Sequence, residues 1–149
     1  MTRELITIGR RDVLDLPDLD ITDLDAKVDT GAYGCALHSH HVQVVEKDGQ
    51  EVLEFKLLDP KHPAYEARTY YCPDFSEKKV RNSGGMVEHR FAIMTTLVLF
   101  GREYEVEMSL TNRKKMKYPI LLGRKFLQGR FLVDVAKKNV SYKKKNTAK

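Results

Sequence analysis

Apolar and polar residues alternate along most of this chain, with the two-residue period of β-strands. From Phe91 to Leu99 the odd positions hold Phe, Ile, Thr, Leu and Leu, and from Tyr104 to Leu110 the even positions hold Tyr, Val, Met and Leu against Glu103, Glu105, Glu107 and Ser109. The segment Phe100-Gly101-Arg102-Glu103 between them is short and contains glycine, so the two runs are expected to pair as a hairpin. A second hairpin is predicted from Val42-Gln43-Val44-Val45 and Val52-Leu53-Glu54-Phe55, joined across Lys47-Asp48-Gly49-Gln50, where Asp-Gly favours positive φ. Further strands are expected near Ile6 and over Ala26 to Asp29, Tyr118 to Leu122, Phe131 to Val135 and Val140 to Tyr142. Only Arg124 to Gln128 reads as a short helix. Many short strands with one small helix predict an all-β fold, a closed or strongly bent barrel.

The middle of the chain interrupts this pattern. Leu58-Asp59-Pro60-Lys61-His62-Pro63 and Cys72-Pro73-Asp74 break any periodicity, so Asp59 to Ser76 is expected to be a long loop inserted into the barrel. After it, Arg81-Asn82-Ser83-Gly84-Gly85-Met86 sets a double glycine between two strand-like runs. Ser83, Gly84, Gly85 and Met86 are either the tip of a hairpin flap over a cleft or a plain turn.

Composition narrows the class. With 149 residues, 42% hydrophobic and 32% charged, the chain suits one soluble globular domain over residues 1–142, with a basic C-terminal tail over 143–149. No apolar run approaches the ~18 residues of a membrane span. The N-terminus lacks a secretory h-region, so a cytoplasmic location is expected. Cys35 and Cys72 have no CxxC spacing and read as reduced thiols. Charge is uneven: Met1 to Asp29 holds eight acidic residues against four basic, and Thr111 to Lys149 thirteen basic against Asp134 alone. Such a C-terminal third could attract acidic substrates or nucleic acid. No aromatic-interleaved RNA signature or zinc-finger spacing accompanies it, which argues against nucleic acid as a specific partner.

The candidate chemistry lies in Val28-Asp29-Thr30-Gly31-Ala32, where an apolar residue runs into Asp-Thr-Gly-Ala, and in Ile120-Leu121-Leu122-Gly123-Arg124. With these two motifs in this order, the chain resembles the retropepsin-like aspartic proteases. It resembles most closely a bacterial family labelled ATP-dependent zinc proteases and associated with ribosomal modification, which shares Ala36-Leu37-His38 and Leu110 to Arg113 as well. The resemblance runs from about Leu5 to Val135. It implies an acid-protease barrel with Asp29 as catalytic carboxylate, Thr30 and Gly31 completing the catalytic loop, and Ala32, Gly123 and Arg124 supporting it.

The chemistry itself needs two carboxyls. Hydrolysing a peptide bond without a metal or covalent nucleophile requires one group to take a proton from water while another donates a hydrogen bond to the carbonyl oxygen. Two facing carboxyls sharing one proton do both, because like charges about 3 Å apart resist simultaneous ionisation. This chain has one Asp-Thr-Gly and no Asp-Ser-Gly, so the second aspartate is expected from an identical partner in a twofold homodimer. The chain departs from its relatives at Tyr33-Gly34-Cys35, where they usually carry Arg-Thr-Ser. Some relatives sit beside ligases that add glutamates to a ribosomal protein, and by that resemblance the expected substrate is a peptide or protein, with an acidic peptide tail as the candidate.

Two other classes stay open. A zinc hydrolase would draw on His38 and His40, which share a strand face while His41 points away. That supplies at most two local ligands where a catalytic zinc usually takes three. HExxH and GxxxxGK[ST] are both absent from the sequence, so no cofactor is expected and the family label finds no motif to support it. The third class is a non-catalytic β-barrel binding protein using the basic surface.

Overall fold

The computed structural model describes residues 4–58, 61–63, 65–81, 84–112 and 117–147, without the side chains of Val80 and Arg81. In chain order its strands are β1 (Ile6–Ile8), β2 (Arg11–Leu16), β3 (Ile21–Val28), β4 (Cys35–Lys47), β5 (Gln50–Leu57), β6 (Tyr70–Cys72), β7 (Phe75–Arg81), β8 (Val87–Leu99), β9 (Arg102–Thr111), β10 (Ile120–Leu122) and β11 (Phe131–Val133). Helix α1 (Arg124–Leu127) follows β10, and helix α2 (Val140–Thr147) ends the described chain.

Six strands form a closed ring, β10-β3-β2-β8-β9-β4, with β4 returning to pair with β10. This is the expected all-β barrel, and closure leaves these strands without open edges. Strands β5 and β6 extend the sheet from β4, β7 pairs with β8, and β1 pairs in parallel with β11. Leu14, Leu24, Leu37, Leu97, Met108 and Ile120 fill the barrel.

Both predicted hairpins form. Strands β8 and β9 join at Leu99↔Arg102, with Phe100 at φ 54° and Gly101 at φ 69°; β4 and β5 join at Lys47↔Gln50, with Asp48 at φ 53° and Gly49 at φ 77°. Positive φ at both turn residues matches the right-handed twist of the flanking strands. The alternation carries into burial: Ile93, Thr95, Leu97 and Leu99 are buried on β8, and Val106, Met108 and Leu110 on β9.

The expectations for two stretches need correction, and one strand was not expected at all. The stretch from Asp59 to Ser76 is not one loop, because Tyr70–Cys72 pairs with β5 and Phe75–Arg81 runs along β8. Tyr70 supplies a reason: its ring stacks on Phe55 at 5.5 Å and its hydroxyl donates to Leu19 O at 3.0 Å, tying a proline-flanked segment into the core. Val140 to Tyr142 is the start of α2 rather than a strand, and the tail expected from Lys143 continues that helix to Thr147. Its first turn is held by Asp12, whose buried carboxylate accepts from Ser141 N (2.9 Å) and Tyr142 N (3.1 Å), while Ser141 Oγ accepts from Phe100 N (2.8 Å). Finally, Arg11–Leu16 is a strand that periodicity alone passed over, because its inward face reads Asp12, Leu14, Leu16 and so opens on a charge.

The suggested flap sits where β7 and β8 meet, across Arg81↔Val87. Gly84, Gly85 and Met86 are exposed there, with Gly85 at φ 82°. Ser83 lies outside the described residues, as do Asp59, Pro60, Asn82 and Arg113.

Candidate active site

Strand β3 delivers Asp29 to the end of the barrel. Its parallel neighbour β10 sets the register at Leu122↔Val28, and Leu122 O then accepts from Asp29 N at 2.9 Å. The apolar Ile120-Leu121-Leu122 run thus fixes where the aspartate leaves the sheet. Beyond it the loop folds on itself. Gly31 N donates to Asp29 Oδ1 at 2.9 Å and Ala32 N to Asp29 O at 3.2 Å. A Cβ on Gly31 would stand 3.2 Å from Asp29 Oδ1, so glycine keeps the approach to the carboxylate open. Asp29 is half-buried and Thr30 is exposed.

Gly123 and Arg124 brace the loop from behind. A Cβ on Gly123 would lie 2.2 Å from Gly34 O and 2.7 Å from Tyr33 O, so backbone packs directly against backbone there. Arg124 N donates to Ala32 O (2.8 Å), Lys125 N to Tyr33 O (2.8 Å), and Arg124 Nη1 to Thr30 O (2.9 Å). The start of α1 therefore spends its otherwise unpaired amides on the loop that carries Asp29. All six residues named from the two motifs, Asp29, Thr30, Gly31, Ala32, Gly123 and Arg124, meet in this one arrangement.

Sequence reasoning passed over the neighbours that complete it. Cys35, taken as an ordinary thiol, is buried beside Gly123; burial pushes its pKa up, while a backbone hydrogen bond at Gly123 pulls the other way. Tyr33 stays largely exposed, with the Arg124 guanidinium 5.9 Å from its ring centroid. Next to the loop lies a cavity of about 200 Å³ lined by Tyr33, Gly34 and Cys35 and by Lys78, Arg90 and Lys125 against Glu107. The cations come from β7, β8 and α1, which are far apart in sequence. Only pairing could bring them together.

The histidines behave differently. His38 is buried in β4 and donates its backbone N–H to Pro119 O at 2.8 Å. Its ring centroid is 6.4 Å from that of His40, whose buried Nε2 has no hydrogen-bond partner among the described residues. His41 takes φ 53° at a bulge between His40 and Gln43. Among the described residues no group of three or more His, Cys, Asp or Glu side chains is arranged to hold a metal ion. Among the described residues the donor set does not fit a catalytic zinc.

A closed barrel that presents Asp-Thr-Gly at a strand end, backed by an apolar Gly-Arg segment, defines the retropepsin-like class. The chain belongs to the RimB-like family, whose model, described as retropepsin-like aspartic endopeptidase RimB, matches residues 7–144. Relatives named probable alpha-L-glutamate ligase are 34% identical over 138 residues in Parasynechococcus marenigrum and 30% identical over 138 residues in Shewanella halifaxensis, covering 90% of this chain in both cases. The chain spans 28% and 29% of the length of those curated relatives. The crystal structure of Lpg0085, a protein with unknown function from Legionella pneumophila, is similar with a TM-score of 0.71 and 26% identity, over 93% of this chain and 99% of that one. Among the described residues no helix is long and apolar enough to cross a membrane.

Proposed function

We propose that this chain is an aspartic peptidase whose reacting pair is two copies of Asp29, brought face to face across the axis of a homodimer. The observation that carries this reading is the bracing of the Asp29 loop by Leu122, Gly123 and Arg124, which fixes an accessible carboxylate in a rigid frame. One carboxylate of the pair takes a proton from water as that water adds to the peptide carbonyl; the other, protonated, donates to the carbonyl oxygen. The tetrahedral adduct then collapses as the amide nitrogen is protonated and the C–N bond breaks, releasing a carboxylic acid and an amine. The Gly84–Met86 end of the β7–β8 hairpin is the proposed cover over the bound peptide.

Acidic peptides are the proposed substrates. Lys78, Arg90 and Lys125 outnumber Glu107 in the cavity beside the loop, and the relatives' name, alpha-L-glutamate ligase, points to acidic peptide chemistry. The decisive experiment measures hydrolysis of acidic peptides by the wild type and by Asp29→Asn, alongside light scattering. The expected outcome is a dimer that cleaves as wild type and is inert as the variant. A monomer with undiminished activity would sink the proposal, as would wild-type turnover by Asp29→Asn.

A further inference from the structure

We infer that the groove between Arg10, the segment ending β11 and helix α2 is a docking site for an acidic polypeptide segment. Five cations line it, Arg10, Lys137, Lys138, Lys143 and Lys144, with Ala136 and Val140 as aliphatic walls and no carboxylate; its volume is about 470 Å³. Among the described residues none of the five has a carboxylate within ion-pair distance. The contrast one residue away is informative. Lys145 reaches both Asp15 (3.4 Å) and Asp23 (3.2 Å), so this helix does neutralise a lysine where it faces the barrel.

The cations are held together by backbone, not by chance proximity. Arg10 N donates to Lys137 O at 2.9 Å, Asn139 N to Arg11 O at 2.9 Å, and Lys137 N to Asp134 O at 3.0 Å. Asp134 Oδ1 accepts from Ala136 N at 3.0 Å, and Arg10 Nη1 donates to Val135 O at 3.3 Å. A Cβ on Gly9 would fall 2.2 Å from Lys137 O, so a glycine is what lets the two segments touch. Asp12 pins the start of α2. Gathering five like charges around one groove raises the free energy of the isolated fold, and a polyanion relieves it. The groove is therefore preorganised for such a ligand.

Peptide is favoured over nucleic acid by the walls. Single-stranded nucleic acids are usually gripped by cations together with aromatic platforms for the bases, and this groove is lined by alanine and valine instead. Backbone ties the groove to the strand that carries Asp29, since Arg10 O accepts from Val28 N at 2.9 Å. The claim that the docked segment belongs to a substrate rests on the peptidase reading. Docking itself does not.

The test uses fluorescence anisotropy at low salt with a labelled ten-residue peptide of alternating glutamate and serine, its glutamine–serine twin, and a ten-nucleotide oligouridine. Asp29→Asn, in which the proposed hydrolysis cannot consume the probe, is expected to bind the acidic peptide and to ignore the neutral twin, and the charge variants are made in that background. The triple variant Lys137→Glu, Lys138→Glu, Lys143→Glu should lose at least about tenfold in affinity. A control with the same charge change elsewhere, Lys47→Glu, Lys56→Glu, Lys117→Glu, should stay within about twofold. Circular dichroism checks that each variant is folded. An equal loss in the control, no binding by folded Asp29→Asn, or tighter binding of oligouridine than of the acidic peptide would overturn the inference. A chain inert as a peptidase yet positive here would remove the proposed activity and leave the groove standing.

Discussion

Asp12 and Asp29 lie near the same end of the β2–β3 pair, yet the fold treats them in opposite ways. Asp12 pairs in register with Ala26, is 1% exposed, and accepts from Val13 N (2.8 Å), Ser141 N (2.9 Å) and Tyr142 N (3.1 Å). Asp29, three residues beyond Ala26, is half-buried, and among the described residues its carboxylate accepts one amide, Gly31 N at 2.9 Å. A carboxylate saturated by backbone donors is a structural part, because every lone pair that faces a fixed amide is lost to chemistry. One held by a single amide at the end of a braced loop keeps an oxygen available. The difference between the two lies in their donors and accessibility.

The sharpest way to break this comparison is to neutralise each aspartate in turn. Asp29→Asn is expected to lower peptide hydrolysis by at least about 10²–10⁴-fold, the range of general acid–base catalysis, with the melting temperature nearly unchanged. Activity assays and thermal melts on one preparation read both effects. A large loss of stability in Asp29→Asn would mean that the loop depends on its charge for more than chemistry.

Asp12→Ala reverses the pattern. It leaves the amides of Ser141 and Tyr142 without their acceptor in a buried place, an expected cost of about 3 kcal/mol. That corresponds to roughly 6–12 °C in melting temperature for a domain of this size. Hydrogen exchange should show the amides of α2 losing protection first, while the barrel strands keep theirs. If α2 stayed protected, Asp12 would not be its anchor.

Gly123→Ala tests the frame rather than the charge. The new methyl would press on Gly34 O and Tyr33 O, and overpacking of this kind costs about 1–3 kcal/mol. The loop must shift to admit it, so activity should fall more than the melting temperature alone explains. Wild-type activity and stability together would show that the backbone contact is looser than it looks.

These outcomes depend on features that differed in how plainly the chain displayed them. The barrel was legible because β8 and β9 alternate cleanly, with Phe100-Gly101 marking the turn between them and Asp48-Gly49 the turn between β4 and β5. The six motif residues of the loop were legible through resemblance, and the structure adds the reason for them: Gly123 must be bare because two carbonyls occupy the space of its side chain. Helix α2 was hidden. Val140-Ser141-Tyr142 reads like strand, and the partner that makes it helical, Asp12, stands about 130 residues away. Long-range anchoring of this sort leaves no local period. The cations beside the Asp29 loop were hidden for the same reason, since Lys78 and Arg90 meet only through the β7–β8 register.

The smallest expected effect asks what else holds α2. Lys145 Nζ reaches Asp23 and Asp15, and its hydrogen bond to Asp23 is the main cause raising its pKa. A raised pKa means a contribution present below the unfolded value, near 10.4, and lost as pH climbs through the folded one. The lysine is about half exposed, so solvent screens the pair and its worth is under about 1 kcal/mol. Lys145→Met should therefore lower stability slightly at pH 7, less at high salt, and not at all once pH is well above the folded pKa. Denaturant titrations of both proteins across that range provide the check. A gap as large as that of Asp12→Ala, or one that persists at alkaline pH, would shift the anchoring of this helix from the buried carboxylate to its surface charges.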